Sequence, residues 1–275
     1  MKPCEVIALA NQKGGVGKTV TSMNLGVSLA QSGKKVLLID HDPQGNLTSA
    51  CGFRDMKLYT LSINDVYSGI IKDLSIPLDE LILHTDEGVD LVPANLDFSG
   101  IELMLTNVMS RETVLKRFIA SVKDKYDYII IDTNPTLGLL PINALTASTS
   151  VIIPVQAEPF AVDGMGALLQ SVFKVKELFN PDLKIGGVVI TMADERTNLC
   201  KQIDKQIREQ YGNHIRIFDT VIPRRTKTSE STGIGESSLK YDPSGDASLA
   251  YLKLSKEVVR NDQKERQRHS SHSIR

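Results

Sequence analysis

Paired cysteines are missing from this sequence. Its three cysteines, Cys4, Cys51 and Cys200, stand far apart and no C-x-x-C pair occurs. That excludes a zinc knuckle and a disulfide framework, and the odd count fits a reducing compartment. Iron–sulfur ligation, which needs thiolates gathered at a shared site, is equally unsupported. Also missing is any run near the roughly 18 apolar residues of a membrane span. The start, Met1-Lys2-Pro3-Cys4-Glu5, lacks the apolar stretch of a signal peptide. A soluble, cytoplasmic protein is expected. Finally, there is no excess of one charge: 32 Lys and Arg face 33 Asp and Glu, for a formal net charge of -1. Contact with nucleic acid would therefore have to come from a local basic patch. What is present is enough apolar material, 41% of 275 residues, for one large core but not for two independent enzymes.

Short β-branched runs recur along the chain, at Val6 to Ala10, Lys35 to Ile39, Tyr128 to Ile131, Val151 to Val155, Ile185 to Ile190 and Ile217 to Val221. A further strand is expected at Val89 to Val92. Continuous apolar runs of this length suit buried parallel strands. Helical stretches fall between them, at Thr19 to Gln31, Ser110 to Lys123, Val162 to Leu178, Asn198 to Tyr211 and Ser244 to Val259. The alternation predicts an α/β fold, a doubly wound, mostly parallel sheet with helices on both faces. One domain is expected over 1–260. The polar remainder, 261–275, reads as a frayed, solvated tail.

The strongest local signal is Lys13-Gly14-Gly15-Val16-Gly17-Lys18-Thr19, after an expected strand and before an expected helix. This is the context of a phosphate loop. Its glycines let the backbone turn N–H groups toward an anion, and the helix N-terminus adds partial positive charge. Gly14, Gly15, Val16, Gly17, Lys18, Thr19 and Val20 are thus candidate ATP-binding residues. Lys18 is placed for the β- and γ-phosphates and Thr19 for Mg²⁺. The loop departs from G-x-x-x-x-G-K-[ST], because Gln12 stands where the first glycine belongs and Lys13 adds a second lysine. In a face-to-face dimer, that lysine could reach the partner's nucleotide.

Two acidic signals accompany the loop. Asp40-His41-Asp42-Pro43-Gln44-Gly45-Asn46 sits at a strand end, the edge where α/β sheets bind ligands. Asp127 to Asp132 delivers Asp132 to the same edge in a Walker B pattern, in which the acid holds Mg²⁺. For Asp42, loop capping stands as the alternative to catalysis.

Together these stretches resemble the deviant Walker A motif and its companions in the ParA/MinD superfamily, most closely the small, Soj-like ParA partition ATPases. The likeness runs from about residue 4 to 260. It includes Asn95 to Leu103, Leu137 to Leu145, Pro154-Val155-Gln156 with Glu158, and Val221-Ile222-Pro223-Arg224. The resemblance implies that Lys13 contacts ATP across a dimer interface and that Asp42 positions the attacking water. It implies that Asp40 supports the Mg²⁺ shell and that Pro223 and Arg224 line the adenine. Where the family has a second threonine this chain has Val20, which removes a hydroxyl near the α-phosphate. Asn134 stands where a proline is usual.

The resemblance further implies a homodimer formed on ATP binding, nonspecific binding to double-stranded DNA, and a ParB-like centromere-binding partner that stimulates hydrolysis. Nucleoid association follows, and no membrane partner is expected. Arg225 and Lys227, in an expected loop, are the candidate DNA contacts; solvated surface beside the nucleotide pocket is the alternative. Two other functions remain. One is a regulatory switch that binds ATP with little turnover. The other is a MinD-like positioning ATPase, which needs an amphipathic C-terminal helix.

Overall fold

The computed structural model describes residues 3–272 apart from 137, 160 and 195; side chains at 163, 264–266 and 268–272 also lie outside the description. Leu137, which opens one of the resemblance stretches, and the chain end at 273–275 are therefore outside the described residues.

Among the described residues, eight strands form one sheet: β1 (Glu5–Leu9), β2 (Val36–His41), β3 (Leu83–His84), β4 (Asp90–Val92), β5 (Tyr128–Thr133), β6 (Ser150–Gln156), β7 (Lys184–Ala193) and β8 (Ile217–Pro223). Their order is β3-β4-β2-β5-β1-β6-β7-β8. Every pairing is parallel except β3 with β4, which is antiparallel at the edge. The helices are α1 (Lys18–Gln31), α2 (Asn46–Ala50), α3 (Ile63–Ile71), α4 (Leu78–Leu81), α5 (Ile101–Leu105), α6 (Val114–Val122), α7 (Leu139–Ala147), α8 (Ala161–Leu178), α9 (Asn198–Tyr211), α10 (Thr226–Ile234), α11 (Ser238–Tyr241) and α12 (Asp246–His272).

The central strands are buried on both faces, as their unbroken apolar runs require. On one face Ile7, Leu9, Leu38 and Ile130 pack with Leu25 of α1 and Tyr251 and Leu254 of α12. On the other, Leu37, Ile39, Ile129 and Ile131 pack with α3, α6 and α7, and Ile153 and Ile190 pack with α8 and α9. The order puts β2, β5 and β1 side by side, so the segments leaving their C-terminal ends share one crevice.

Three expectations need correction. The stretch 110–123 is helical only at its centre, with single 3-10 turns at Arg111–Thr113 and Lys123–Lys125. The segment around Arg225 and Lys227 is not a loop: Arg225 is the N-cap of α10 and Lys227 lies in its first turn. The expected tail is helix as far as His272. Residues 261–272 contain no Gly, Pro or β-branched residue, and Gln, Lys, Glu and Arg favour helix. Tertiary bonds also hold the start of this extension. Asn261 Nδ2 donates to the Gly186 carbonyl at 3.4 Å, and Tyr128 Oη donates to Asp262 Oδ2 at 2.8 Å.

That anchor is sensitive to pH. Partial burial, then the neighbouring Asp262 charge, pushes the Glu5 carboxyl up to about 7, against hydrogen bonds from Thr149 and Ser150 that favour its charged form. The folded value is raised, so the contribution of Glu5 to stability is complete below its unfolded value near 4.5. It is lost as pH rises through about 7. Thermal unfolding temperature should therefore fall from pH 5 to pH 8, and Glu5→Gln should flatten that dependence. Equal slopes for variant and parent would assign the pH response elsewhere.

Candidate active site

The phosphate loop leaves β1 at Ala10 and ends in α1. Gly17 is its N-cap with φ 81°, a left-handed conformation that a side chain would strain. Two strands on one side of β1, namely β6 and β7, hold the loop. Asn11 Nδ2 donates to the Pro154 carbonyl at the end of β6 at 2.7 Å, and Asn11 Oδ1 accepts from the Lys13 N–H at 2.9 Å. Thr191 Oγ1 of β7 donates to the Val16 carbonyl at 2.7 Å. Neither clamp was anticipated from sequence. Asn11 carries an Asx-type signal, two residues before the amide it receives, whereas Thr191 carries none.

Inside the loop, Lys18 is buried and its Nζ donates to the carbonyls of Asn11 at 3.0 Å and Lys13 at 3.3 Å. Burial lowers the pKa of its ammonium, and the charges of Asp132 and Asp42 oppose that shift. Neutral carbonyls are weaker acceptors for an ammonium than phosphate oxygens are.

Asp132 is the hub. Thr19 Oγ1 donates to its Oδ2 at 2.7 Å, and Ser22 Oγ to its Oδ1 at 3.1 Å. Burial pushes its carboxyl up to about 6, against the Thr19 and Ser22 bonds and the Lys18 charge. Asp40 lies opposite Asp132 in the parallel register. Burial first, then the Asp132 charge, pushes Asp40 up to about 7. Its oxygens are committed to the following segment: Oδ2 accepts from Thr48 N and Oγ1 at 2.8 and 2.7 Å, and Oδ1 from Asp42 N at 3.2 Å. Those bonds fold the turn that carries Asp42. At Gly45 (φ 63°) an added Cβ would stand 2.8 Å from the Ala94 carbonyl, so only glycine lets this turn pass so close.

Asp42 is buried, and its Oδ1 accepts from Gln44 N at 3.0 Å. This is a loop-capping bond, and it leaves Oδ2 without a hydrogen-bond partner among the described residues. His41, between the two aspartates, is structural. It is fully buried, bonded to Tyr67 Oη at 2.8 Å and packed edge-on against Phe98, and burial lowers its pKa to about 3. Phe98 belongs to the Asn95–Leu103 stretch, which thus supports the turn from behind.

Lys13 does not face its own loop. Its Nζ pairs with Glu158 Oε2 at 2.6 Å, and both side chains are about half exposed, 51% and 43%. Such a pair contributes roughly 0–1 kcal/mol and is readily given up. Val20 packs partly buried against the core under α1.

Arg224 lines an open cleft of about 740 Å³ with Asp194, Arg196, Ser229 and Glu230, just beyond the end of β7. Pro223 closes β8 beside it. Arg225 and Lys227 are engaged in ion pairs, with Asp246 at 2.7 Å and Asp242 at 3.1 Å. Among the described residues no cluster of three His, Cys, Asp or Glu side chains is placed to hold a metal. Mg²⁺ bound with a nucleotide needs only one or two protein oxygens beside phosphate and water, and the Thr19–Asp132 pair supplies hard oxygens of that kind.

A family model described as an AAA domain matches residues 4–185. The sporulation initiation inhibitor protein Soj of Bacillus subtilis is 45% identical over 257 residues, 94% of this chain and 99% of that protein. The chromosome partitioning protein ParA of Caulobacter vibrioides is 40% identical over 260 residues, 94% of each. Among solved structures, a cobyrinic acid a,c-diamide synthase from Mycobacterium smegmatis, with bound ATP analog and magnesium, superposes with a TM-score of 0.81. It is 34% identical over 94% of this chain and 96% of that one. A plasmid partition protein from Borrelia burgdorferi gives a TM-score of 0.73 at 27% identity, over 94% and 99%.

Proposed function

Because the chain belongs to the ParA/MinD superfamily, on its Soj-like branch, we propose that it is an ATP-dependent partition ATPase. In this reading its ATP-bound form pairs with a second copy and binds DNA without regard to sequence. The observation that carries the reading is the division of labour in the loop. Lys18 sits buried beside Asp132 and Asp42, while Lys13 is turned outward to Glu158. A loop with one lysine for its own phosphates and another at the surface suits a site completed by a partner.

The residues divide the chemistry as follows. Backbone N–H groups of Gly14 to Thr19 and the Lys18 ammonium bind the phosphates and stabilise charge on the γ-phosphoryl group. Thr19 and Asp132 would hold Mg²⁺, which would neutralise phosphate charge, and Asp40 serves the site by fixing the turn of Asp42. Oδ2 of Asp42 accepts a hydrogen bond from the attacking water and aims it in line with the bond to the leaving ADP. Val20, Pro223 and Arg224 border the nucleotide. A domain over 1–260 carries these steps, with 261–275 as a polar extension. A ParB-like centromere-binding protein is the proposed stimulator of hydrolysis, and the nucleoid the proposed location. No helix among the described residues is long and apolar enough to cross a membrane.

The trans role of Lys13 can be tested by mixing. Lys13→Ala has its own Asp42 but no signature lysine; Asp42→Ala has the lysine but no water-positioning carboxylate. If Lys13 acts across the interface, each mixed dimer contains one fully equipped site, and phosphate release from an equimolar mixture that pairs at random should recover toward about a quarter of the wild-type rate. Mixtures no faster than the two variants measured separately would place Lys13 in cis.

A further inference from the structure

We propose that the cavity between α7 and α8 is a second binding site, for a small organic acid with an aromatic body, and that its occupant modulates the nucleotide site. The cavity follows from the way the sheet is covered. α7 packs Leu140 and Ala144 against one cluster of the core, and α8 packs Leu169 and Val172 against the next. Between them runs β1, whose C-terminal half and the residue after it give this face only Ala8 and Ala10. Two methyl groups do not fill the seam, and a space of about 260 Å³ remains with Ala10 on its wall. Close-packed interiors leave few voids larger than a water molecule.

The lining selects the ligand. Ile142 and Leu145 of α7, with Leu168, Val175 and Phe179 on or just after α8, make most of the wall apolar. Water suits most of this space poorly, because each molecule needs two to four polar partners. Asn134 also lines the cavity, and its Oδ1 is buried with no hydrogen-bond partner among the described residues. A buried acceptor left unpaired costs more than a typical hydrogen bond contributes, so a ligand that offers one N–H or O–H donor is favoured. Lys174, exposed on α8, is the charged residue of the lining, and no Asp or Glu is among the described lining residues. That charge calls for an anionic group. The volume lies just under the roughly 300–1,000 Å³ of pockets for drug-sized ligands, so two fused rings with a short carboxylate arm fit it better than a nucleotide.

The cavity also touches both segments that border the nucleotide site. Asn11 and Gln12 lead into the phosphate loop, and Gln12 Nε2 donates to Ser171 Oγ of α8 at 3.4 Å, all three residues lining the cavity. Thr133, Asn134 and Thr136, which line it too, follow directly on Asp132. An occupant therefore bears on the loop and on the segment after the Asp132 carboxylate at once.

The probe is indole-3-propionate, which has a two-ring apolar body, one N–H donor and a carboxylate. Its affinity for the full chain is measured by saturation-transfer NMR titration. Two analogues are measured beside it: 3-(2-naphthyl)propionate, which lacks the donor, and tryptamine, which carries a cation in place of the acid. Indole-3-propionate should bind saturably and at least about threefold more tightly than either. Asn134→Leu should abolish its preference over the naphthyl acid. Lys174→Glu, at an exposed position where folding is not at risk, should weaken the acid at least about threefold and spare tryptamine. Ile142→Trp, which fills the cavity, should remove binding. Equal affinities for the three probes, or preferences unchanged by Asn134→Leu and Lys174→Glu, would overturn the site. Coupling is read separately. Saturating ATP and Mg²⁺ should change the Kd of indole-3-propionate at least about fivefold, and the acid should change ATP affinity by the same factor. The same Kd with and without ATP would overturn the effector role. Neither arm reads DNA binding or partition, so a failure here is distinct from a failure of the function proposed above.

Discussion

Lys18→Ala should lower ATP affinity by on the order of a hundredfold or more in titration calorimetry, with the fold retained by circular dichroism. The ammonium is buried at the loop mouth and already donates two hydrogen bonds to loop carbonyls. Transferred to phosphate oxygens, each becomes a bond between charged groups. Hydrogen bonds to charged groups contribute about 1.5–3 kcal/mol each, so losing two spans roughly two to four orders of magnitude. The other lysine of the loop, Lys13, is turned to Glu158 instead. A folded variant with parental ATP affinity would refute the assignment.

Asp42→Ala should behave differently, with phosphate release lowered about 10²- to 10⁴-fold and ATP affinity nearly unchanged. Groups that orient or deprotonate an attacking nucleophile contribute factors of that size. The geometry separates the two functions. Asp42 binds its own turn through Oδ1, leaving Oδ2 as the oxygen proposed to hold the water, whereas the proposed phosphate ligands lie on the loop after β1. Much of the turn survives the substitution, because the Asp40–Thr48 bonds do not use the Asp42 side chain. If turnover in single-turnover phosphate-release measurements stays near the parental rate, Asp42 is only a capping residue.

The sheet core was legible in the sequence for a simple physical reason. Strands buried on both faces are mostly apolar up to the C-terminal ends that carry the site, so the runs at β1, β2, β5 and β6 stand out. The two-residue β3 carries too little pattern to register, and α2, α4 and α11 are four- or five-residue turns set by tertiary bonds rather than by periodicity. The end of α12 was misread because its sequence lacks an apolar face. That stretch is helical through propensity and through the anchors at Asn261 and Asp262, which lie more than 70 residues from their partners in sequence.

The candidate site divides in the same way. Lys18, Thr19, Asp40, Asp42 and Asp132 could be named because the phosphate loop and strand-end acids have fixed local spacing. The contacts that hold them could not, because Thr191 to Val16, Asn11 to Pro154 and Lys13 to Glu158 join segments more than 140 residues apart. That Arg225 and Lys227 are paired is not legible either, since Asp246, which opens α12, and Asp242, which caps α11, come into reach of α10 only in the folded chain.

The account's central claim is that ATP, before its hydrolysis, closes two copies of this chain on each other. The direct measurement is molar mass by light scattering on a sizing column, with Asp42→Ala protein in ATP and Mg²⁺, in ADP and Mg²⁺, and without nucleotide. Hydrolysis is expected to be slowed about 10²- to 10⁴-fold in this variant, so that the ATP state should persist through the run. The account predicts the mass of two chains with ATP and of one chain in the other two conditions, with the ATP-dependent mass lost when Lys18→Ala is added. One mass under all three conditions, with ATP binding verified in parallel, would contradict it.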